Sequence, residues 1–203
     1  MPSPVDCLIF DLFGVLVSFD DGLVYARLAA HCENPAIAEQ EMRDLVSLPD
    51  LTCGRLTLAA LRSELVAKHG LNLSLDDFIA TWMVSYSEPM PGMRELLRQA
   101  SGRCKLVLLS NVDPFYWPTV LESLPELRNF DALSLSFEQG VAKPDPRAFE
   151  RAIDLSRSGA DSCFFVDDKL ENIHAAAQYG LRGHHFTSTA VLRRTLKTIG
   201  VPL

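Results

Sequence analysis

Polar residues able to do chemistry follow apolar runs at four places in this chain. Leu8-Ile9-Phe10 runs into Asp11, with Gly14 three positions on. Leu106–Leu109 ends in Ser110-Asn111. Ala132–Ser136 is followed by a segment that reaches Lys143-Pro144, and Phe164-Phe165-Val166 leads into Asp167-Asp168. A single acid after a single strand is an ordinary turn or cap residue. Acid, hydroxyl plus amide, lysine and paired acids at successive strand ends are more than turns require. In a parallel sheet these ends share one rim, the rim where α/β proteins bind ligands.

The set has a physical logic. Asp11, Asp167 and Asp168 brought together repel one another, and their pKa values rise. A hard divalent cation relieves that repulsion, and Mg²⁺ prefers carboxylate oxygens while keeping some of its waters. Lys143, Ser110 and backbone amides supply donors and positive charge opposite. A phosphoryl group fits between the two sides. A carboxylate can then attack phosphorus and form an aspartyl-phosphate that water hydrolyses. Positioning and charge neutralisation would carry most of the catalysis.

The elements that must position these residues are legible in outline. Val5–Phe10, Lys105–Leu109, Ala132–Leu135, Cys163–Val166 and Gly183–Phe186 read as strands. The most apolar lack alternation, as strands buried on both faces of a parallel sheet do. Helical spacing marks Gly92–Ala100, Pro144–Leu155 and Asn172–Tyr179. Alternating strands and helices predict an α/β fold, a Rossmann-like doubly wound parallel sheet. From about Phe19 to Ser87 only helices are expected: one from Asp21, one near Ala36–Leu48, one from Thr57 to Gly70, and one capped by Ser74-x-x-Asp77. This predicts a core domain of residues 1–18 and 89–203, interrupted by a small helical cap over 19–88.

Composition narrows the function classes. The chain has 203 residues, 48% of them hydrophobic and 22% charged, with a formal net charge of −7. That apolar content excludes intrinsic disorder. A pI near 5.2 argues against nucleic acid as a partner. No apolar run approaches the ~20 residues that span a bilayer, so no membrane partner is expected. Met1-Pro2-Ser3-Pro4 lacks the basic start of a signal peptide. Five cysteines, at positions 7, 32, 53, 104 and 163, form no C-x-x-C pair and suit buried, reduced thiols. A cytoplasmic protein, monomer or homodimer, with a small phosphorylated substrate is therefore expected. His184 and His185 have no ligand spacing and read as structural, and Arg55 reads as solvated. Phe115, Tyr116 and Trp117 read equally as pocket mouth or as helix packing.

The four segments resemble the four motifs of the haloacid dehalogenase-like (HAD) hydrolases. Asp11 matches the nucleophile, Ser110-Asn111 the second motif, Lys143-Pro144 the third, and Asp167-Asp168 with Asn172 the acidic fourth. The helical insertion matches the place of the family's C1 cap. The segments Trp117-Pro118, Pro125-Glu126-Leu127-Arg128 and Phe164–Asn172 further resemble the branch that hydrolyses α-glucose 1-phosphate. The resemblance implies a Mg²⁺-dependent phosphatase in which Asp11 and Lys143 are catalytic. Ser110, Asn111 and Lys143 would bind substrate. Asp11, Asp167, Asp168 and the backbone carbonyl of Phe13 would hold the metal. The sequence departs from the pattern at Phe13, where most such phosphatases have a second Asp as general acid and base. A good leaving group, as in a sugar 1-phosphate or an acyl phosphate, would reduce the cost of that loss. Two alternatives stay open: a 2-haloacid dehalogenase using Asp11 on carbon without metal, and a non-catalytic protein that binds a phosphate ligand or a partner.

Overall fold

The computed structural model describes residues 3–47, 49–83 and 86–203. Its centre is strand β1, Cys7–Phe10, whose four residues are all fully buried. A strand sends successive side chains to opposite faces. Cys7 and Ile9 therefore face one layer, Leu8 and Phe10 the other. An apolar run without alternation demands cover on both faces, and helices provide it.

The sequence-derived strands are found in the sheet with shifts of one or two residues at their ends. Strands β2 (Val17–Phe19) and β3 (Tyr86–Pro89) form a separate pair. Strands β4 (Lys105–Ser110), β5 (Ala132–Leu135), β6 (Cys163–Asp167) and β7 (Arg182–His185) join β1 in a sheet of order β5-β4-β1-β6-β7. All its pairings are parallel, with Phe10 opposite both Leu108 and Val166. The chain steps outward from β1 to β4 and β5, then crosses back to β6 and β7 on the other side. That reversal puts the crevice beside the carboxyl end of β1, where Asp11 lies.

Helices α1 (Asp21–Ala29), α2 (Pro35–Ser47), α3 (Pro49–Thr52), α4 (Leu58–His69) and α5 (Leu75–Trp82) fill the stretch between β2 and β3. Their ends follow the sequence signals. Thr57 accepts from the Ala60 N–H and Ser74 from the Asp77 N–H, each satisfying an orphan donor of a first turn. Gly70 takes the left-handed conformation that closes α4, with φ of 63°. One expectation fails here. The segment from Phe19 to Ser87 is not helical throughout, because β2 and β3 tie its two ends in an antiparallel pair, Val17 opposite Pro89 and Phe19 opposite Tyr86. The partners are far apart in sequence, so local periodicity carries no sign of the pairing.

After β3 come α6 (Met93–Ala100), α7 (Trp117–Ser123), α8 (Ser136–Gln139), α9 (Pro146–Ser156), α10 (Leu170–Ala177) and α11 (Thr189–Thr198). The helix expected from Pro144 opens later, with Asp145 as N-cap and Pro146 in the first turn. The sequence pattern singles out no helix after Phe186, yet Ser188 caps α11. On one sheet face, Phe149, Ala152 and Ala176 of α9 and α10 cover Cys7, Ile9, Val107 and Phe165. On the other, Leu96 of α6 and Leu192 of α11 cover Leu8, Phe10 and Leu108. This second cluster continues into the inserted helices through Leu28, Leu58 and Phe78. Among the described residues, no helix is long and apolar enough to cross a membrane.

Phe149 is fully buried, with Phe165 edge-on at 5.8 Å and Tyr179 stacked at 6.2 Å. Phe149→Ala is expected to cost about 3–5 kcal/mol through the cavity it leaves. Denaturant unfolding at constant m-value would measure it.

Candidate active site

Three carboxylates from two strand ends meet at the rim. Oxygens of Asp11, Asp167 and Asp168 all lie within 4.8 Å of one another. Backbone pairing fixes this: the Asp11 N–H donates to the Val166 carbonyl at 2.9 Å, which locks the end of β1 beside the end of β6. Lys143 arrives from the loop after α8. Its Nζ lies 2.7 Å from Asp11 Oδ1 and 2.7 Å from Asp167 Oδ2. Asp167 is 0% exposed, and Asp11 and Lys143 are 6% exposed each.

Each charged group has further support. The Leu12 N–H donates to Asp11 Oδ1 at 2.7 Å. Asn172 Nδ2 spans both oxygens of Asp167 at 3.0 and 3.1 Å, and the Lys169 N–H donates to Asp167 Oδ1 at 2.8 Å. Asn111 holds Lys143 by its peptide. Its Nδ2 donates to the Lys143 carbonyl and its Oδ1 accepts from the Lys143 N–H, both at 2.8 Å. The Asn111 amide is thus committed to positioning the lysine, where the sequence reading had it on phosphate oxygens.

The electrostatics follow from burial. Desolvation lifts Asp11 to about 7 and Asp167 adds repulsion, while Lys143 pulls the other way. Desolvation and Asp167 also raise Asp168. Burial alone would discharge Lys143, but the two carboxylates beside it outweigh that and raise its pKa. Lys143 directly offsets two acids, and the third, Asp168, keeps a buried Oδ1 with no hydrogen-bond partner. Ser110, 1% exposed at the end of β4, likewise has a buried Oγ without a partner. Orphaned polar atoms of this kind are costly unless a ligand or ion completes them.

Gly14 is the hidden part of the site. At φ +78° it takes a backbone conformation that favours glycine, and a Cβ there would stand 2.4 Å from Asp168 Oδ2. The glycine lets that carboxylate reach the cluster. His185 Nε2 lies 2.9 Å from the Asp168 carbonyl, which gives this histidine the structural place expected for it. His184 stacks on Phe164, centroids 6.2 Å apart.

A cavity of about 650 Å³ opens beyond the carboxylates. Asp11, Phe13, Asn111, Lys143 and Asp168 lie on its wall, and the inserted helices add Tyr25, Arg43 and Trp82. Tyr116 is buried on this wall and donates its hydroxyl to the Trp82 carbonyl at 2.5 Å, whereas Phe115 is exposed and Trp117 packs on the core. Arg55 lies outside the cavity. It pairs with Asp50 at 2.7 Å and donates to the Gly140 carbonyl at 3.1 Å, linking the insertion to the sheet domain.

Asp113 escaped the sequence reading. It is buried on the cavity wall and its Oδ1 accepts from the Phe115 and Tyr116 N–H groups at 2.8 and 3.1 Å. Its position three residues after Ser110 was the available signal. Burial pushes its carboxyl up to about 6. The Trp82 indole N–H is near enough to soften that rise but lacks the geometry of a hydrogen bond.

The family model for haloacid dehalogenase-like hydrolase matches residues 5–180. The chain belongs to the haloacid dehalogenase-like hydrolases. Among similar members, D-ribitol-5-phosphate phosphatase of Bacteroides thetaiotaomicron is 26% identical over 199 residues, 95% of this chain and 97% of that one. A HAD-like family hydrolase from Porphyromonas gingivalis superposes with a TM-score of 0.80 at 24% identity, covering 96% and 99% of the two chains. The HAD family enzyme BT-2542 of B. thetaiotaomicron, solved with magnesium and inorganic phosphate, gives a TM-score of 0.74 at 21% identity and covers 91% and 96%. These superpositions show the HAD fold.

A raised carboxylate pKa means the folded state binds its proton more tightly than the unfolded chain. Stability then falls as pH rises from the unfolded value near 4 toward 6. Asp113→Asn removes this one contribution while keeping an oxygen for the two amides. The stability difference between Asp113→Asn and wild type should therefore shift in favour of the variant by about 2 kcal/mol between pH 4 and 7. Denaturant midpoints across that range would show it.

Proposed function

We propose that this HAD-like hydrolase cleaves a small phosphate monoester with Mg²⁺ through an aspartyl-phosphate on Asp11. The observation that carries the reading is the cluster of buried Asp11 and Asp167 with half-buried Asp168, in which Lys143 contacts the first two. The donor set fits a hard divalent cation, since it offers carboxylate oxygens and one of them, Asp168 Oδ1, is buried without a partner. Asp11, Asp167, Asp168 and the Phe13 carbonyl would hold the ion. When bound, the ion neutralises the carboxylates and the phosphoryl oxygens so that an anionic nucleophile can approach an anionic substrate.

The chain's own residues then divide the work. Asp11 attacks phosphorus. Lys143 stabilises charge on the phosphoryl oxygens and opposes the rise that burial imposes on Asp11. The Ser110 hydroxyl donates to a phosphate oxygen. Asn111 positions Lys143 by its peptide, and Asn172 fixes Asp167. Residues 19–88 act as a cap whose helices close the cavity and exclude bulk water. The paired acids favour phosphorus over carbon as the electrophile, because a haloacid substrate gives them no cation to hold. The ribitol-phosphate enzyme among the relatives supports a phosphorylated metabolite, and a sugar phosphate belongs to that class.

Asp11→Asn is expected to lower turnover by ~10³-fold or more, since it removes the nucleophile itself. Chelation with EDTA should abolish phosphate release, and added Mg²⁺ should restore it. Both are read as inorganic phosphate released from a panel of phosphate monoesters. Turnover of chloroacetate in EDTA would instead establish the dehalogenase chemistry.

A further inference from the structure

The motif resemblance sets Phe13 at the place of a second Asp, the acid that would protonate the leaving oxygen. Its ring lies on the cavity wall, 4.7 Å from the Phe19 ring and tilted 42° to it. Tyr25, Trp82 and Tyr116 continue the wall, with the last two rings 6.3 Å apart. The acids that share the cavity have other duties. Asp113 holds two turn amides with one oxygen, and Asp145 is paired through both oxygens to Arg147 at 3.0 and 2.7 Å.

Two constraints then act on the substrate. An alkyl alcohol stays protonated in water, so its oxygen leaves phosphorus poorly unless an acid supplies a proton. A phenolic oxygen ionises near pH 10 and leaves as the anion. The cavity wall is the second constraint. Rings bury flat apolar surface well, whereas each hydroxyl of a polyol brought among them loses water and needs a partner.

We propose that the preferred substrates are aryl phosphates, monoesters whose leaving oxygen sits on a flat, apolar ring held among Phe13, Phe19, Tyr25, Trp82 and Tyr116. The inference rests on the phosphatase reading above and names its substrate class. An oxygen of Asp11 bonds to phosphorus as the phosphorus–aryl oxygen bond breaks. The electron pair leaves with the aryloxide, which takes its proton from solvent. Water then adds to phosphorus as the phosphorus–Asp11 oxygen bond breaks; the electron pair returns to the Asp11 carboxylate, and the water's proton leaves with the released inorganic phosphate or to solvent.

The test compares kcat/KM of the Mg²⁺-loaded enzyme for phenyl phosphate, glucose 1-phosphate and ribitol 5-phosphate, then across ring-substituted phenyl phosphates. Phenyl phosphate should lead by at least ~10-fold, within the range that pocket complementarity provides. Across the substituted series, kcat/KM should climb steeply as the leaving phenol becomes more acidic. Phe13→Asp should flatten that slope and raise turnover of the two sugar-type substrates. Equal or better turnover of those substrates by wild type would overturn the proposal, as would a flat wild-type slope. So would a slope that steepens in Asp113→Asn, since Asp113 would then be supplying the proton. If Phe13→Asp fails to fold, judged by circular dichroism, the wild-type slope and Trp82→Ala decide. The latter should raise KM for phenyl phosphate more than for ribitol 5-phosphate, and an equal effect on both counts against the proposal. Loss of Asp11- and Mg²⁺-dependent turnover on every substrate would instead defeat the phosphatase reading itself.

Discussion

A buried ammonium between two buried carboxylates sets the terms for this molecule. Lys143 contacts Asp11 and Asp167 at equal distances, and none of the three is well solvated. Taking such charges out of water is expensive, and their attraction repays the cost only when the geometry is tight and the remaining polar atoms are satisfied. The fold meets that condition for two of the three acids. Asn172 and the Lys169 amide hold both oxygens of Asp167, the Leu12 amide holds Oδ1 of Asp11, and Asn111 pins the lysine's backbone. Asp168 and Ser110 are left incomplete. Stability is given up where a reaction needs open valences, a local conflict of the kind that marks functional sites.

Much of this was legible in the sequence because the sheet obeys simple rules. Polar residues after apolar runs become rim residues once the strands are parallel. The helix starts at Thr57 and Ser74 and the stop at Gly70 carry their mechanism in their residue types. Other parts were hidden for physical reasons. Asn111 was assigned to the ligand because its position at a strand end says nothing of where its amide turns. Gly14 reads as a turn residue until the Asp168 carboxylate is seen to occupy the place of its missing Cβ. Tyr25 and Trp82 have the spacing of core residues on amphipathic helices, and only the packing of the insertion shows that the same rings also face a cavity.

The site thus draws on two sources. Strand ends and their loops supply Asp11, the lysine and the paired acids, all held by backbone pairing and buried hydrogen bonds. The inserted helices supply much of the surface that an organic group would touch. The charged groups and much of the ring surface of this cavity come from different stretches of chain, and such a division lets one fold serve many substrates. The continuous apolar cluster shared by sheet and insertion keeps the two in register.

The ribbon of β2 and β3 has a structural corollary. Because Val17 faces Pro89 across it, the chain leaves the sheet domain and returns within one interstrand spacing, roughly 5 Å. Everything strung between those two points can lengthen, shorten or be exchanged for another module without rerouting a single strand of the sheet. The ribbon thus joins the ends of the helical stretch at one place beside the sheet.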